Sequence, residues 1–565
     1  MMAHHFMRYV LAAAAVVFML WIGIPLAVHV GALFTPTGVW DYPWTLPELL
    51  TRVLQRTPMP ASTVFCAVGI LVILAALIWG VTSGNLGWQS NGRATILRLK
   101  LIVAWKSRPR RSPLTARAAE PLGRVGWFGF FGIRWFTDML EETRVLIAPS
   151  GAGKTVRLVV RLILRARGAI VATSTKPDVL QLTAWLRMVR HPFARVMVFD
   201  PEGMVPWMGE RRVKWNIVAG CQDGQMAMKR AAAIVAARPI DGTQSSNSGF
   251  FTQAVTIVLQ CMLHAAAIDG RTMRDVMRWM GDFEDDTPYN ILRERPGAIR
   301  HWEQLLTKYC RGKADETVSS TDMSASGILN AFSIEAILDA VCPPVDDDRV
   351  IDASGHHRTR DSLYLICKGE DSPAASVFTA LVESLYLMAS DDITRNGLCV
   401  PPLELVLDEA MNVCSIPSLP RVMSTGRGEG IVPTVIAQDY QQIVDRYGES
   451  AATTIVNNAT ELLVMGGLKD ADYLQKIAVL AGSLDHLGRG FAKQVLAPER
   501  IRTLWDGRAL FFYRNQPPAV ITLVPWWRSR QKSEYKASLA WAKTERDRYI
   551  TGEQFAGQIE EERAA

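Results

Sequence analysis

The sequence is short of charge and has no cysteine framework. Only 21% of its 565 residues are Asp, Glu, Lys or Arg, against 49% hydrophobic. The mean hydropathy is +0.09, apolar for a soluble enzyme, which argues that part of the chain sits in lipid. Cys66, Cys221, Cys261, Cys310, Cys342, Cys367, Cys399 and Cys414 form no CxxC pair and no metal-ligand spacing with histidine. That excludes a disulfide scaffold or a zinc ribbon and reads as reduced thiols in a cytosolic body. Histidine is also scarce, at 9 residues. The adjacent pair His356-His357 lies in a polar stretch with no ligand cluster around it and reads as a solvated loop. The formal charge of +7 fits a polyanionic partner or an anionic membrane surface and does not choose between them.

Charge is missing altogether from two runs. Residues 10–33 (VLAAAAVVFMLWIGIPLAVHVGAL) carry no formal charge beyond a titratable His29, and residues 63–81 (TVFCAVGILVILAALIWGV) carry none. Each is long enough to cross a hydrocarbon core of about 30 Å as a helix. A cleaved signal peptide is the rival for the first run. The length of that run, its lack of a small-residue cleavage site and the second span all weigh against cleavage. After the second run come Arg93, Arg98, Lys100, Lys106, Arg108, Arg110, Arg111, Arg117 and Arg124, opposed by Glu120. This positive bias puts the body and both termini in the cytoplasm, with the protein in the cell membrane. The same basic run could be a nucleic-acid patch, but topology alone accounts for it.

What is present begins with VLIAPSGAGKTVRL, residues 145–158. An apolar strand is expected to end at Ala148, a turn to follow through Pro149, Ser150, Gly151, Ala152 and Gly153, and a helix to open at Lys154. Strand, glycine turn and helix N-terminus make an anion site of inward backbone N–H groups. Lys154 would reach the β/γ-phosphates of ATP, and the Thr155 hydroxyl would hold Mg²⁺. The pattern has glycine where this chain has Ala148, a mild departure if its φ is negative.

A second motif supplies the context. PLELVLDEAMNV, residues 402–413, reads as a buried parallel strand ending in two acids at the edge where open α/β sheets place ligands. Asp408 would hold the Mg²⁺, and Glu409 would polarise the attacking water. A third strand, IVPTVIA, ends at Gln438, a nucleotide-state sensor by position. MSTGRGEG carries Arg427 on a Gly-rich turn, suited to reach a neighbouring subunit's nucleotide as an arginine finger. On spacing alone, Gln438 and Arg427 are equally ordinary loop residues.

Together these residues resemble the coupling ATPases of type IV secretion and bacterial conjugation. The shared features run from residue 10 to residue 525: two spans, APSGAGKT, IVATSTKPDVL, RVMVFDPEG, KWNIVAG, the block from Asp408 to Gln438, and ATTIVNNATELLVMGG. Ile217 stands where the family has proline in its Trp-Asn-Pro-like motif. The resemblance implies an α/β, RecA-like P-loop NTPase with an inserted all-α domain and an N-terminal two-helix transmembrane hairpin. It also implies a homo-hexamer when active, with Mg²⁺-ATP between subunits, that delivers relaxase-bound single-stranded DNA to type IV secretion channel components. Lys154, Thr155, Asp408, Glu409, Arg427 and Gln438 carry the family roles.

The expected division is 1–90, hairpin; 91–222, first part of the nucleotide-binding domain; 223–345, all-α insertion; 346–527, second part; and 528–565, a charged tail read as a helix with solvated faces. Two other functions fit the sequence. One is an FtsK-type DNA pump, which usually has more spans and a winged-helix tail. The other is a membrane docking receptor that binds nucleotide without pumping, a reading fed by Ala148.

Overall fold

The computed structural model describes residues 21, 24–32, 45–54, 68, 120–125, 134–138, 142–237, 248–312, 315–369, 372–485, 492–494, 496–515 and 518–564. The chain divides into two compact units, Met1–Leu99 and Lys100–Ala565. In the first, the helices Ile24–Ala32 and Leu46–Leu54 are described. The two apolar runs expected to cross the membrane otherwise lie outside the described residues.

The second unit is built on a sheet. Its strands are β1 (Glu120–Val125), β2 (Arg134–Asp138), β3 (Arg144–Ile147), β4 (Ile170–Ser174), β5 (Val196–Phe199), β6 (Ser362–Ile366), β7 (Leu403–Leu407), β8 (Ile431–Ala437) and β9 (Glu461–Met465). A separate ribbon pairs β10 (Ser483–Asp485) with β11 (Ala492–Gln494), and β12 (Arg508–Tyr513) and β13 (Ala519–Thr522) follow. The order across the sheet is β2-β1-β13-β12-β9-β3-β8-β7-β4-β6-β5. Strands β9 through β5 in that order are parallel, and the wing from β12 to β2 is antiparallel.

The parallel strands are buried throughout and mostly apolar because helices cover both their faces. The two-residue period splits each strand between two cores. Val145 and Ile147 join Leu403, Leu405, Leu407 and Val435 on one face, while Leu146 joins Val406 and Ile436 on the other.

Between β5 and β6 the chain leaves the sheet, and among the described residues seven α-helices run from Gly224 to Val341. They pack around Ser248–Ile268, with Trp279, Trp302 and Leu306 buried. Residues Phe250–Ile268 are long and apolar enough to span a membrane, but 67% of that stretch is buried in protein. It is the core helix of this insertion. Buried Arg230 ties the insertion to the body, donating to Ile217 O at 2.8 Å and to Ser384 Oγ at 3.2 Å. Ile217 itself donates its N–H to Val341 O at 3.4 Å, a bond that proline could not make.

Two sequence expectations are corrected. His356 and His357 are buried in a short turn before β6. His357 Nε2 lies 2.7 Å from Asp392 Oδ2, and His356 Nε2 lies 3.4 Å from Ile170 O. The polar neighbours in sequence hid partners supplied from distant strands and helices. The tail helix, Lys532–Ala564, begins docked rather than solvated. Tyr535 is fully buried against Val160, Leu164, Leu182 and Leu186, and Ser538 Oγ donates to Gln181 O at 2.7 Å. Tyr535, Leu539 and Ala542 recur at helical spacing and form a narrow apolar stripe under a charged surface.

Candidate functional site

Parallel pairing brings the phosphate loop and the acidic pair to one edge. Leu146 pairs with Ile436 and Val435 with Leu407, so β3, β8 and β7 end side by side. The C-terminal ends of β3 and β7 are two strand spacings apart, about 10 Å, a gap that side chains from both can bridge.

Ala148 continues β3, giving its N–H to Ala437 O at 3.0 Å. The positive φ angles fall instead on Gly151 (80°) and Gly153 (76°), where glycine carries no steric penalty. The alanine departure therefore costs the loop nothing. A methyl placed on Gly151 would meet nothing within 4 Å, so Pro149, Ser150, Gly151, Ala152 and Gly153 frame an open cradle. Thr155–Val159 winds as one wide π turn before α-helix Val160–Arg165. The expected helix is present, with its first turn loosened.

The cradle meets the acids directly. Thr155 Oγ1 donates to Asp408 Oδ2 at 3.2 Å. The Lys154 ammonium lies 3.2 Å from Glu409 Oε1 and 3.8 Å from Asp408 Oδ1, and Lys154 is buried. Burial pushes the Asp408 carboxyl up to about 6; Lys154 opposes that shift and neighbouring Glu409 adds to it. Glu409 holds φ at 53°, a strained value for a residue with a side chain and of the kind stored at functional sites. Its Oε2 is buried with no hydrogen-bond partner.

A ligand that offers oxygens to Lys154 and a metal ion to Thr155 and Asp408 fits this donor set: one buried cation, one hydroxyl, two carboxylates and an orphaned oxygen. The Thr155 hydroxyl and the Asp408 carboxylate are hard oxygen ligands, as Mg²⁺ requires.

Gln438 follows β8 at the same edge, and its N–H donates to Gln442 Oε1 at 3.0 Å. Arg427 is not brought in. It lies in the last turn of helix Leu419–Glu429, which leads into the start of β8. The length of β8 separates it from its own phosphate loop by about 20 Å. Arg427 therefore lies at the opposite end of β8 from the phosphate loop of its own chain.

Sequence reading missed Thr173. Its hydroxyl donates to Asp408 O at 2.9 Å and pins the strand tip that aims both acids. A pair of hydroxyl residues, Thr173 and Ser174, closing the otherwise apolar IVATS was the available signal.

The fold is a mixed α/β sheet that carries a phosphate-loop-like turn beside an acidic strand tip. Residues 402–488 match the family described as the TraM recognition site of TraD and TraG. Among solved structures, the chain is similar to the plasmid coupling protein TrwB in complex with the GTP analogue GDPNP. There it has 17% identity and a TM-score of 0.53, covering 68% of this chain and 86% of TrwB. It is also similar to TrwB in complex with the ATP analogue ADPNP, at 18% identity and a TM-score of 0.52 with the same coverage. The unbound bacterial conjugative coupling protein TrwBdeltaN70 gives 17%, 0.53, 68% and 85%. No curated protein matches the sequence. The family match and the shared fold support the resemblance to type IV coupling proteins that the motifs carry.

Proposed function

We propose that this chain is a membrane-anchored, ATP-driven coupling protein. It recruits relaxase-bound single-stranded DNA to a type IV secretion channel and drives its transfer. The observation that carries the proposal is the junction of Lys154 and Thr155 with Asp408 and Glu409 at one sheet edge. The match of residues 402–488 to a TraM recognition site supports docking to the DNA-processing complex through that part of the chain.

Lys154 would neutralise β/γ-phosphate charge, with Thr155 and Asp408 holding Mg²⁺. Bound there, the metal ion would spread the triphosphate's charge. A triphosphate competes with Glu409 for Lys154, which frees the Glu409 carboxylate to accept a proton from attacking water. Arg427 would be supplied across a subunit contact, which makes turnover depend on an assembled ring, taken as a hexamer. Gln438, between loop and acids, would relay the state of the site to β8. DNA would be gripped through its phosphates, so affinity falls with salt and ignores base sequence.

The two N-terminal runs would anchor the protein with both termini in the cytoplasm. Protease protection of tagged termini in membrane vesicles tests that topology. The docking-receptor alternative rested on Ala148, and no observation now favours it. The central test is turnover by the purified full chain with and without single-stranded DNA. Stimulated hydrolysis that Glu409→Gln abolishes supports the motor; an absence of stimulated hydrolysis in every assembled form removes it.

A further inference from the structure

Trp505 stands on the other side of the phosphate loop from the acids. It lies in the turn between helix Pro498–Arg502 and β12. Ala509 of β12 pairs with Met465 of β9, and Val464 pairs with Ile147 of β3. The turn therefore rises from the same edge as the phosphate loop, two strand spacings or about 10 Å to one side. Asp408 and Glu409 sit an equal distance to the other side, just past the end of β7.

The two loops are joined by contacts. Gly467 donates its N–H to Arg502 O at 2.8 Å, and a side chain on Gly467 would crowd Pro149 Cγ at 3.1 Å. A side chain on Gly507 would collide with the guanidinium of Arg157, two residues past Thr155. Arg157 Nη1 is itself fixed on Leu523 O at 3.0 Å. Trp505 is thus mounted on a braced turn, yet the residue is 74% exposed. The guanidinium of Arg508 lies over its ring, 4.8 Å from the centroid. An indole held in place and left in water is a platform for a flat, apolar partner.

Resting on the nucleotide reading above, we infer that Trp505 is the base-stacking platform of this site. Lys154, with a metal ion held by Thr155 and Asp408, would fix the terminal phosphates at the β7 side. The ribose and base then run away from β7, toward β9 and β12, where the exposed indole waits. Stacking on an aromatic face is tolerant of base identity because every base offers a π-face. The platform therefore takes nucleoside triphosphates as a class, with little choice among the bases.

The experiment compares two ligands on the full chain in detergent by titration calorimetry: Mg²⁺-ATP, and inorganic tripolyphosphate with Mg²⁺, which has phosphates and no base. Trp505→Ala is expected to weaken ATP binding roughly fivefold to tenfold and to leave tripolyphosphate unchanged, with Trp505→Phe restoring most of the loss. Unchanged ATP affinity in Trp505→Ala overturns the platform. An equal loss for both ligands also overturns it, because the turn would then serve the phosphates. A wild-type chain that binds neither ligand removes the nucleotide site itself, and the platform with it.

Discussion

Thr155 Oγ1 and Asp408 Oδ2, 253 positions apart in sequence, share a hydrogen bond of 3.2 Å. One sits at the mouth of a glycine turn and the other at the tip of a parallel strand. Strand β8, threaded between β3 and β7, sets their separation. The contact turns two short motifs, each common alone, into one site.

Removing the acid that faces Lys154 should separate binding from chemistry. Glu409→Gln keeps the shape and can still accept from Lys154, so nucleotide affinity should hold within a few-fold. DNA-stimulated hydrolysis should drop by about 10²- to 10⁴-fold, the usual worth of a positioned base. Lys154→Ala should instead lose affinity, and both variants should abolish transfer. Binding isotherms beside turnover rates check the split.

The motifs were legible because each is contiguous. VLIAPSGAGKT and LELVLDE carry strand, turn and charge within about a dozen residues, and IVPTVIA matches β8 to the residue. What pairing alone creates was hidden. Residues 120–125 sit in a basic stretch that reads as a membrane flank, yet they form β1 of an antiparallel wing. Nothing near His357 in sequence announces Asp392. Nothing near Arg157 announces Gly507. Apart from the local pairing of β1 with β2, these contacts join residues more than 30 positions apart, where local periodicity carries no information.

The tail helix should be a structural part of the body. Tyr535→Ala opens a cavity beneath Leu164, Leu182 and Leu186 and should cost about 3–5 kcal/mol. Lys536→Ala, on the exposed side of the same turn, should change stability by less than about 0.5 kcal/mol. Urea unfolding of both variants is the measurement, and equal effects would return the helix to solvent.

Acid should weaken the fold through His356. Burial holds its imidazole down at about 4 from an ordinary 6.5, with Asp361 opposing the shift and Arg195 and His357 adding to it. Between those values the unfolded chain takes up a proton that the folded chain refuses. Stability is therefore full above pH 6.5 and falls as pH drops toward 4, at about 1.4 kcal/mol per pH unit from this group. Unfolding free energies taken across that window should show the slope, and His356→Gln should make it shallower by one proton's worth.

The base of the phosphate-loop strand gives the last test. Arg144 opens β3 and Glu461 opens β9, paired in parallel register. Arg144 Nε lies 2.6 Å from Glu461 Oε2 with both side chains fully buried. Breaking such a pair from one side strands a charge, whereas replacing both ends with apolar groups does not. Arg144→Met alone should therefore cost about 3–5 kcal/mol. Arg144→Met with Glu461→Leu should recover most of that loss, because the pair's attraction is largely offset by its desolvation. Since β3 carries the phosphate loop at its other end, the single variant should also weaken nucleotide binding, and the double variant should restore it. A double variant as unstable as the single would mean that the ion pair itself, rather than its burial in register, holds β3 against β9.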